Sequence, residues 1–322
     1  MATAPQPRRI RLQGHSIEVA SEQFGTLKNP SAHPGEAPNP DFGNPLVRSR
    51  RGGLWFPRRV LLTLGVLLLA VFPLVGCDTQ GGGAQLLHKA RLQWEEGHFE
   101  DAARSYIGLA ELYPDAPEAE DALFWAANLY QYYLVQSEPA TRLYQQLVVR
   151  FPQGRFFLEA KQNMAQLFEE SPESRPRALQ IYQQLVLNPA LQEQHDAFLI
   201  KIGLLYMELG KMDQARQALR DLLVNYPASA MRGDAFYLTG YSYYLEGRID
   251  MALAAFTRTA KEFAGTPLAV RAQFFIADTL EEKGDMKSAL TAFIALQGKY
   301  PQPTILERRI KTLEARIRRG VR

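Results

Sequence analysis

Alanine recurs at Ala102, Ala140, Ala178, Ala215, Ala252 and Ala289, always 37 or 38 residues apart, and the same neighbours travel with it. Four residues on stands Tyr106, Tyr144, Tyr182, Leu219, Phe256 or Phe293. Seven residues on stands Leu109, Leu147, Leu185, Leu222, Thr259 or Leu296. Five residues earlier stands Gly97, Val135, Glu173, Gly210, Gly247 or Gly284. A period of this length means one supersecondary unit copied six times. Such a unit cannot bury its apolar face alone, so the copies must stack.

Each unit reads as helix–turn–helix. Glycine tolerates the left-handed conformation that ends a first helix. Alanine early in the second helix lets two backbones approach, and the residues four and seven positions on share its face. Leu199, Ile202, Gly203 and Tyr206 line one face of a first helix before Gly210, and Phe236, Thr239, Gly240 and Tyr243 do so before Gly247. Pro114, Pro152, Pro189, Pro227 and Pro301 close five of the units; four of these prolines follow an aromatic residue, as in Tyr226-Pro227. Proline removes a donor and disfavours helix in the residue before it, so it separates one unit from the next.

These positions resemble the tetratricopeptide repeat (TPR) over about residues 84–302. Units two and three depart, with Val135 and Glu173 in place of the turn glycine and an apparent insertion in each. The resemblance implies an all-α solenoid of about six repeats over 85–302. The segment 303–322 then forms a basic helix with Ile305, Leu306, Ile310, Leu313 and Ile317 on its apolar face. It either caps the open end of the solenoid or docks an acidic partner or anionic lipid.

Charge divides the chain along the same lines. Residues 1–59 carry a net +5, 78–306 a net −7 and 307–322 a net +5, so the overall +3 conceals an acidic array between basic ends and gives no ground for a nucleic-acid partner. Residues 1–57 have few large apolar residues and no sustained period, the composition of a disordered extension. Arg58-Arg59 precede the uncharged apolar run 60–72, which leads to Leu74-Val75-Gly76-Cys77 and the only cysteine of the chain. Basic residues, an apolar core and a small-residue site form the grammar of a secretory signal. Val60–Gly76 also reaches the lower limit for crossing a bilayer, which leaves an uncleaved anchor as the other reading.

Leu-Val-Gly-Cys resembles the bacterial lipobox, and that resemblance implies lipid attachment at Cys77. Gly81-Gly82-Gly83 then lie in a flexible tether over 78–84. A lipobox followed by Tyr-Pro-ended repeats to the C-terminus resembles the BamD-like lipoprotein family of outer-membrane assembly. That family implies β-barrel assembly components as partners and a periplasm-facing membrane location. The departures are six repeats in place of five, the long extension, and Asp78, which in enterobacteria favours the inner membrane. Tol-Pal or cell-division coordinators, pilotin-like factors and a single-pass inner-membrane adaptor are the alternatives.

No catalytic constellation, cofactor motif or metal-ligand spacing stands out, and pairs such as Glu169-Glu170 suit a solvated helix face. The resemblance therefore implies a non-enzymatic scaffold that binds protein partners, with no small-molecule substrate. Its groove positions fall on Leu87, Arg91 and Trp94, on Phe124, Asn128 and Tyr132, on Tyr237, Tyr241 and Tyr244, and on Phe274, Asp278 and Glu281. The aromatic members have two readings: packing between repeats, or a wall that grips a peptide. No Lys/Arg cluster occupies these positions, which argues against the clamp that grips acidic chain termini.

Overall fold

The computed structural model of the chain describes residues 79–320. The extension, the apolar run, Cys77 and Asp78 lie outside the described residues. Among the described residues no helix is long and apolar enough to cross a membrane.

Among the described residues thirteen α-helices follow one another: α1 (Thr79–Glu95), α2 (Phe99–Leu112), α3 (Glu118–Asn128), α4 (Ser137–Arg150), α5 (Phe157–Glu169), α6 (Arg175–Leu185), α7 (His195–Glu208), α8 (Met212–Asn225), α9 (Arg232–Leu245), α10 (Ile249–Glu262), α11 (Pro267–Glu282), α12 (Met286–Ile294) and α13 (Pro303–Arg318). They pair in sequence as six hairpins followed by α13. Each helix packs on its neighbours in the chain, and first helices of successive hairpins also meet, as α1 does α3 and α9 does α11.

The seam inside each hairpin has one recipe. Ala102, Ala140, Ala178, Ala215, Ala252 and Ala289 are all fully buried, as are Tyr106, Tyr144, Phe256 and Phe293. Burying each large side chain contributes about 1.5–3 kcal/mol. The facing first helix supplies a small residue: Ala90, Ala127, Ala165, Gly203, Gly240 or Ala277. The fit is tight where that residue is glycine. A Cβ on Gly240 would lie 2.9 Å from the Phe256 ring, and one on Gly203 would lie 3.0 Å from Leu219.

Four hairpin turns use the same termination. Gly97, Gly210, Gly247 and Gly284 have φ of 80°, 71°, 71° and 89°. In each turn the next residue's N–H bonds five residues back, as Lys211 N does to Tyr206 O at 2.7 Å. The second hairpin takes an extra residue into this motif. Leu129–Tyr133 form a π-turn, and Gln136 N bonds six residues back, to Tyr130 O at 2.7 Å. Val135 occupies the glycine's place with φ of 52°, the one non-glycine among the described residues in this region. In the third hairpin Ser174 closes the turn instead, its hydroxyl donating to Phe168 O (3.0 Å) and Ser171 O (3.1 Å).

The glycine run differs from its sequence reading. Gly81, Gly82 and Gly83, expected in a flexible tether, lie in the first turns of α1. A Cβ on Gly82 would run into the Tyr113 ring, so the absent side chain lets the helix backbone pass close to that tyrosine. At the other end α13 buries Leu306, Ile310 and Leu313 and leaves Ile305 exposed. Arg309 pairs with Asp278 and Glu281, and Arg316 with Glu281, which fasten α13 to α11.

Candidate interaction surface

First helices place the expected groove residues in two regions, and burial separates them. In the second hairpin Phe124 is 2% exposed and stacks on Phe156 at 4.0 Å with the rings 6° apart. Asn128 is buried too, and accepts from the Tyr144 hydroxyl at 2.6 Å. Gln131 Oε1, 2.8 Å from the same hydroxyl, shares its one proton with Asn128, and the hydroxyl accepts from Asn163 Nδ2 at 3.1 Å. Burial raises the Tyr144 pKa well above the ordinary phenol value. This network is internal, and it locks α3, α4 and α5 together.

Tyr132 is different. It is 39% exposed, and its hydroxyl reaches Asn163 Oδ1 at 3.5 Å. Trp94 is half-buried, 5.5 Å from Trp125 and 5.8 Å from Tyr133 between ring centroids. Phe99 lies 4.5 Å from Tyr133, so the rings form a continuous cluster across the first two hairpins.

In the fifth hairpin Tyr237, Tyr241 and Tyr244 stack in series at 6.4 and 6.3 Å. Phe275 of α11 sets its edge against all three, at 5.7, 5.4 and 5.7 Å. Tyr237 and Tyr241 are 5% and 3% exposed. Burial raises the pKa of both, that of Tyr241 to about 12. Tyr244 is half-buried and donates to Asp278 Oδ2 at 2.5 Å, while Asp278 is 7% exposed. Phe274 is half-buried and stacks on Tyr300 at 4.6 Å.

Phe124, Asn128, Tyr237, Tyr241 and Asp278, expected on the groove wall, are buried. They are enclosed between repeats, because flat side chains on first helices fill the gap that the next first helix leaves. Trp94, Tyr132, Tyr244 and Phe274 keep accessible surface. Among the groove positions beside them, Leu87 is buried, and Arg91 and Glu281 are partly buried.

The structure adds residues that the sequence reading did not single out. Trp125, Phe156 and Phe275 complete the aromatic clusters. Glu159 and Asn163 stand one turn apart on α5, and burial raises the Glu159 pKa above the ordinary carboxylate value. A signal for the pair existed: Gln162-Asn163 interrupt the apolar side of a helix that also carries Ala160, Met164, Ala165 and Leu167. Polar residues there imply a buried network.

Two family models, both described as tetratricopeptide repeat, match the chain, one over residues 87–130 and 237–302 and the other over 121–154 and 197–229. Together they take in just over half of it. The chain belongs to the tetratricopeptide repeat proteins and is a scaffold for protein–protein interaction.

Among solved structures it is similar to a tetratricopeptide repeat protein from Parabacteroides merdae, with 17% identity over 73% of this chain and 88% of that one and a TM-score of 0.54. PilW, a type IV pilus biogenesis factor, matches at 16% identity over 68% of this chain and 94% of its own, with a TM-score of 0.46. PilF of Pseudomonas aeruginosa matches at 14% over 69% and 94%, with a TM-score of 0.43. At such identities these likenesses concern the fold alone. No curated protein matches the sequence.

Proposed function

We propose that this chain is a lipid-anchored scaffold of the bacterial cell envelope that faces the periplasm and holds protein segments without doing chemistry on them. The observation that carries the anchor is Cys77, the only cysteine, at the end of Leu74-Val75-Gly76-Cys77 and directly before the repeat array. Two or more acyl chains hold a soluble array on a membrane stably, because each buried CH₂ contributes about 0.8 kcal/mol. Membership of a β-barrel assembly complex in the outer membrane, as in BamD-like lipoproteins, is supported by the order of lipobox and Tyr-Pro-ended repeats.

Mass spectrometry of the tagged chain, extracted from membranes in detergent with its partners, tests each part. A mature chain that begins at acylated Cys77 and carries barrel-assembly components is the expected result. Division or pilus proteins on the same acylated chain would move the function and keep the anchor. Peptides from residues 1–57 on the membrane-bound form would overturn the lipid anchor in favour of a single-pass adaptor. Cys77→Ala should release or mislocalise the lipid-anchored form and leave a single-pass form in place.

A further inference from the structure

Glu159 lies on α5, partly buried, and among the described residues it has no ion-pair or hydrogen-bond partner. Cations nearby in sequence are engaged elsewhere. Arg155, one turn earlier, pairs with Asp121 across the repeat boundary, and Lys161 donates to Gln184 at 2.7 Å. One turn after Glu159, Asn163 meets the hydroxyl of the exposed Tyr132, and the Glu159 charge acts on that phenol, so the carboxylate and the ring lie close together where α5 meets the π-turn, a place called the notch below.

The notch is braced. Asn163, Asn128 and Gln131 are all held by Tyr144, and the backbone that carries Tyr132 is wound as a π-turn ending in the left-handed Val135. π-turns and strained non-glycine residues persist where the surroundings over-determine them, often at functional positions. A carboxylate drawn part-way out of water without a counter-ion is costly, and a cation brought to it recovers that cost.

We propose that the notch formed by Glu159, Tyr132 and Asn163 receives one lysine or arginine side chain from a protein segment bound along the second and third hairpins. The carboxylate pairs with the cationic head, the Tyr132 ring lies along its aliphatic stem, and Asn163 supplies a further acceptor. The occupant is basic because the notch offers acceptors and a net negative charge. The array as a whole, net −7 over 78–306, favours the approach of such a segment.

This deepens the scaffold reading and rests on it, so the test keeps the two apart. The full chain is expressed in its native membrane with the photo-reactive p-benzoyl-phenylalanine in place of Tyr132 or, separately, of Tyr244. After irradiation the cross-linked peptides are sequenced, with and without Glu159→Gln. The expected result is a peptide at position 132 with Lys or Arg within a few residues of the cross-link, and a yield that falls at least about tenfold in E159Q, as losing one partner of a desolvated charge pair does. Cross-links at position 244 are expected to keep their yield. An unchanged yield at position 132 in E159Q, or partner peptides without a basic residue, would overturn the notch and leave the scaffold standing. Cross-links at neither position would overturn the scaffold reading itself.

Discussion

The Tyr144 hydroxyl donates to Asn128 Oδ1 at 2.6 Å, joining the second helix of the second hairpin to its first. Asn163 of the third hairpin donates to the same hydroxyl, so one phenol connects two repeats. Tyr144→Phe keeps the ring and strands buried amides on both sides. It should destabilise the array by about 1–3 kcal/mol. The urea midpoint checks the magnitude, and hydrogen exchange should show the loss concentrated in α3 and α5 rather than spread over all six hairpins.

Exposure separates two aromatic residues of one helical segment. Phe124→Ala removes a ring enclosed by Trp125, Tyr144 and Phe156 and should cost about 3–5 kcal/mol. Tyr132→Ala should cost under about 1 kcal/mol, because its side chain is 39% exposed and its one hydrogen bond is long. Thermal unfolding of the two variants side by side decides this. Equal losses would mean that Tyr132 is a packing residue.

Val135 holds a conformation that a β-branched side chain disfavours, with its side chain in solvent. Val135→Gly should therefore stabilise the array by about 1 kcal/mol. The opposite change at an equivalent turn, Gly210→Ala, should destabilise it by about the same amount. No atom would crowd that new Cβ, so the effect isolates backbone strain.

Burial raises the Glu159 pKa, so the folded state holds this proton more tightly than the unfolded chain does. The carboxyl's contribution to stability is therefore most favourable at pH below the ordinary value of 4.5 and is lost as pH rises through the higher folded value. Glu159→Gln should raise the melting midpoint at pH 7 by about 2 °C, and the gain should vanish by pH 4. A gain of the same size at both pH values would show that ionisation is not its source.

Arg309 neutralises Asp278, a carboxylate that also accepts from Tyr244. Arg309→Ala leaves that charge buried. The arginine is itself 41% exposed, so solvent screening limits the expected cost to about 1–2 kcal/mol. Hydrogen exchange should quicken in α11 to α13, and adding Asp278→Asn should recover most of the loss.

The repeat was legible because burial in a solenoid is periodic. Each alanine of the register sits at the same crossing of two helices, and each residue four positions on fills the same seam. The insertion in the second hairpin was also legible, since Val135 follows Gly97 by 38 residues where the later glycines are spaced by 37. That the extra residue becomes a π-turn was not legible. A spacing counts residues, and several backbone paths accommodate one more of them. For the candidate surface, the family positions name residues of the first hairpin helices but not which of their side chains reach water. Tyr132, in the π-turn that continues a first helix, and Tyr237, on a first helix, are both tyrosines, yet only Tyr237 is enclosed, by the edge of Phe275 from the next repeat.

The sequence by itself determined the repeat number, the two-helix unit, the turns at glycine and the acidic array between basic ends, because all of these follow from local spacing and composition. The tertiary structure decided which aromatic residues are enclosed, that Tyr144 serves two repeats, that Gly82 makes room for Tyr113, and that Glu159 stands without a counter-ion. Each of these depends on residues of different helices, about half a repeat or more apart, meeting across an interface. The geometry of stacking, and no local pattern, sets that meeting.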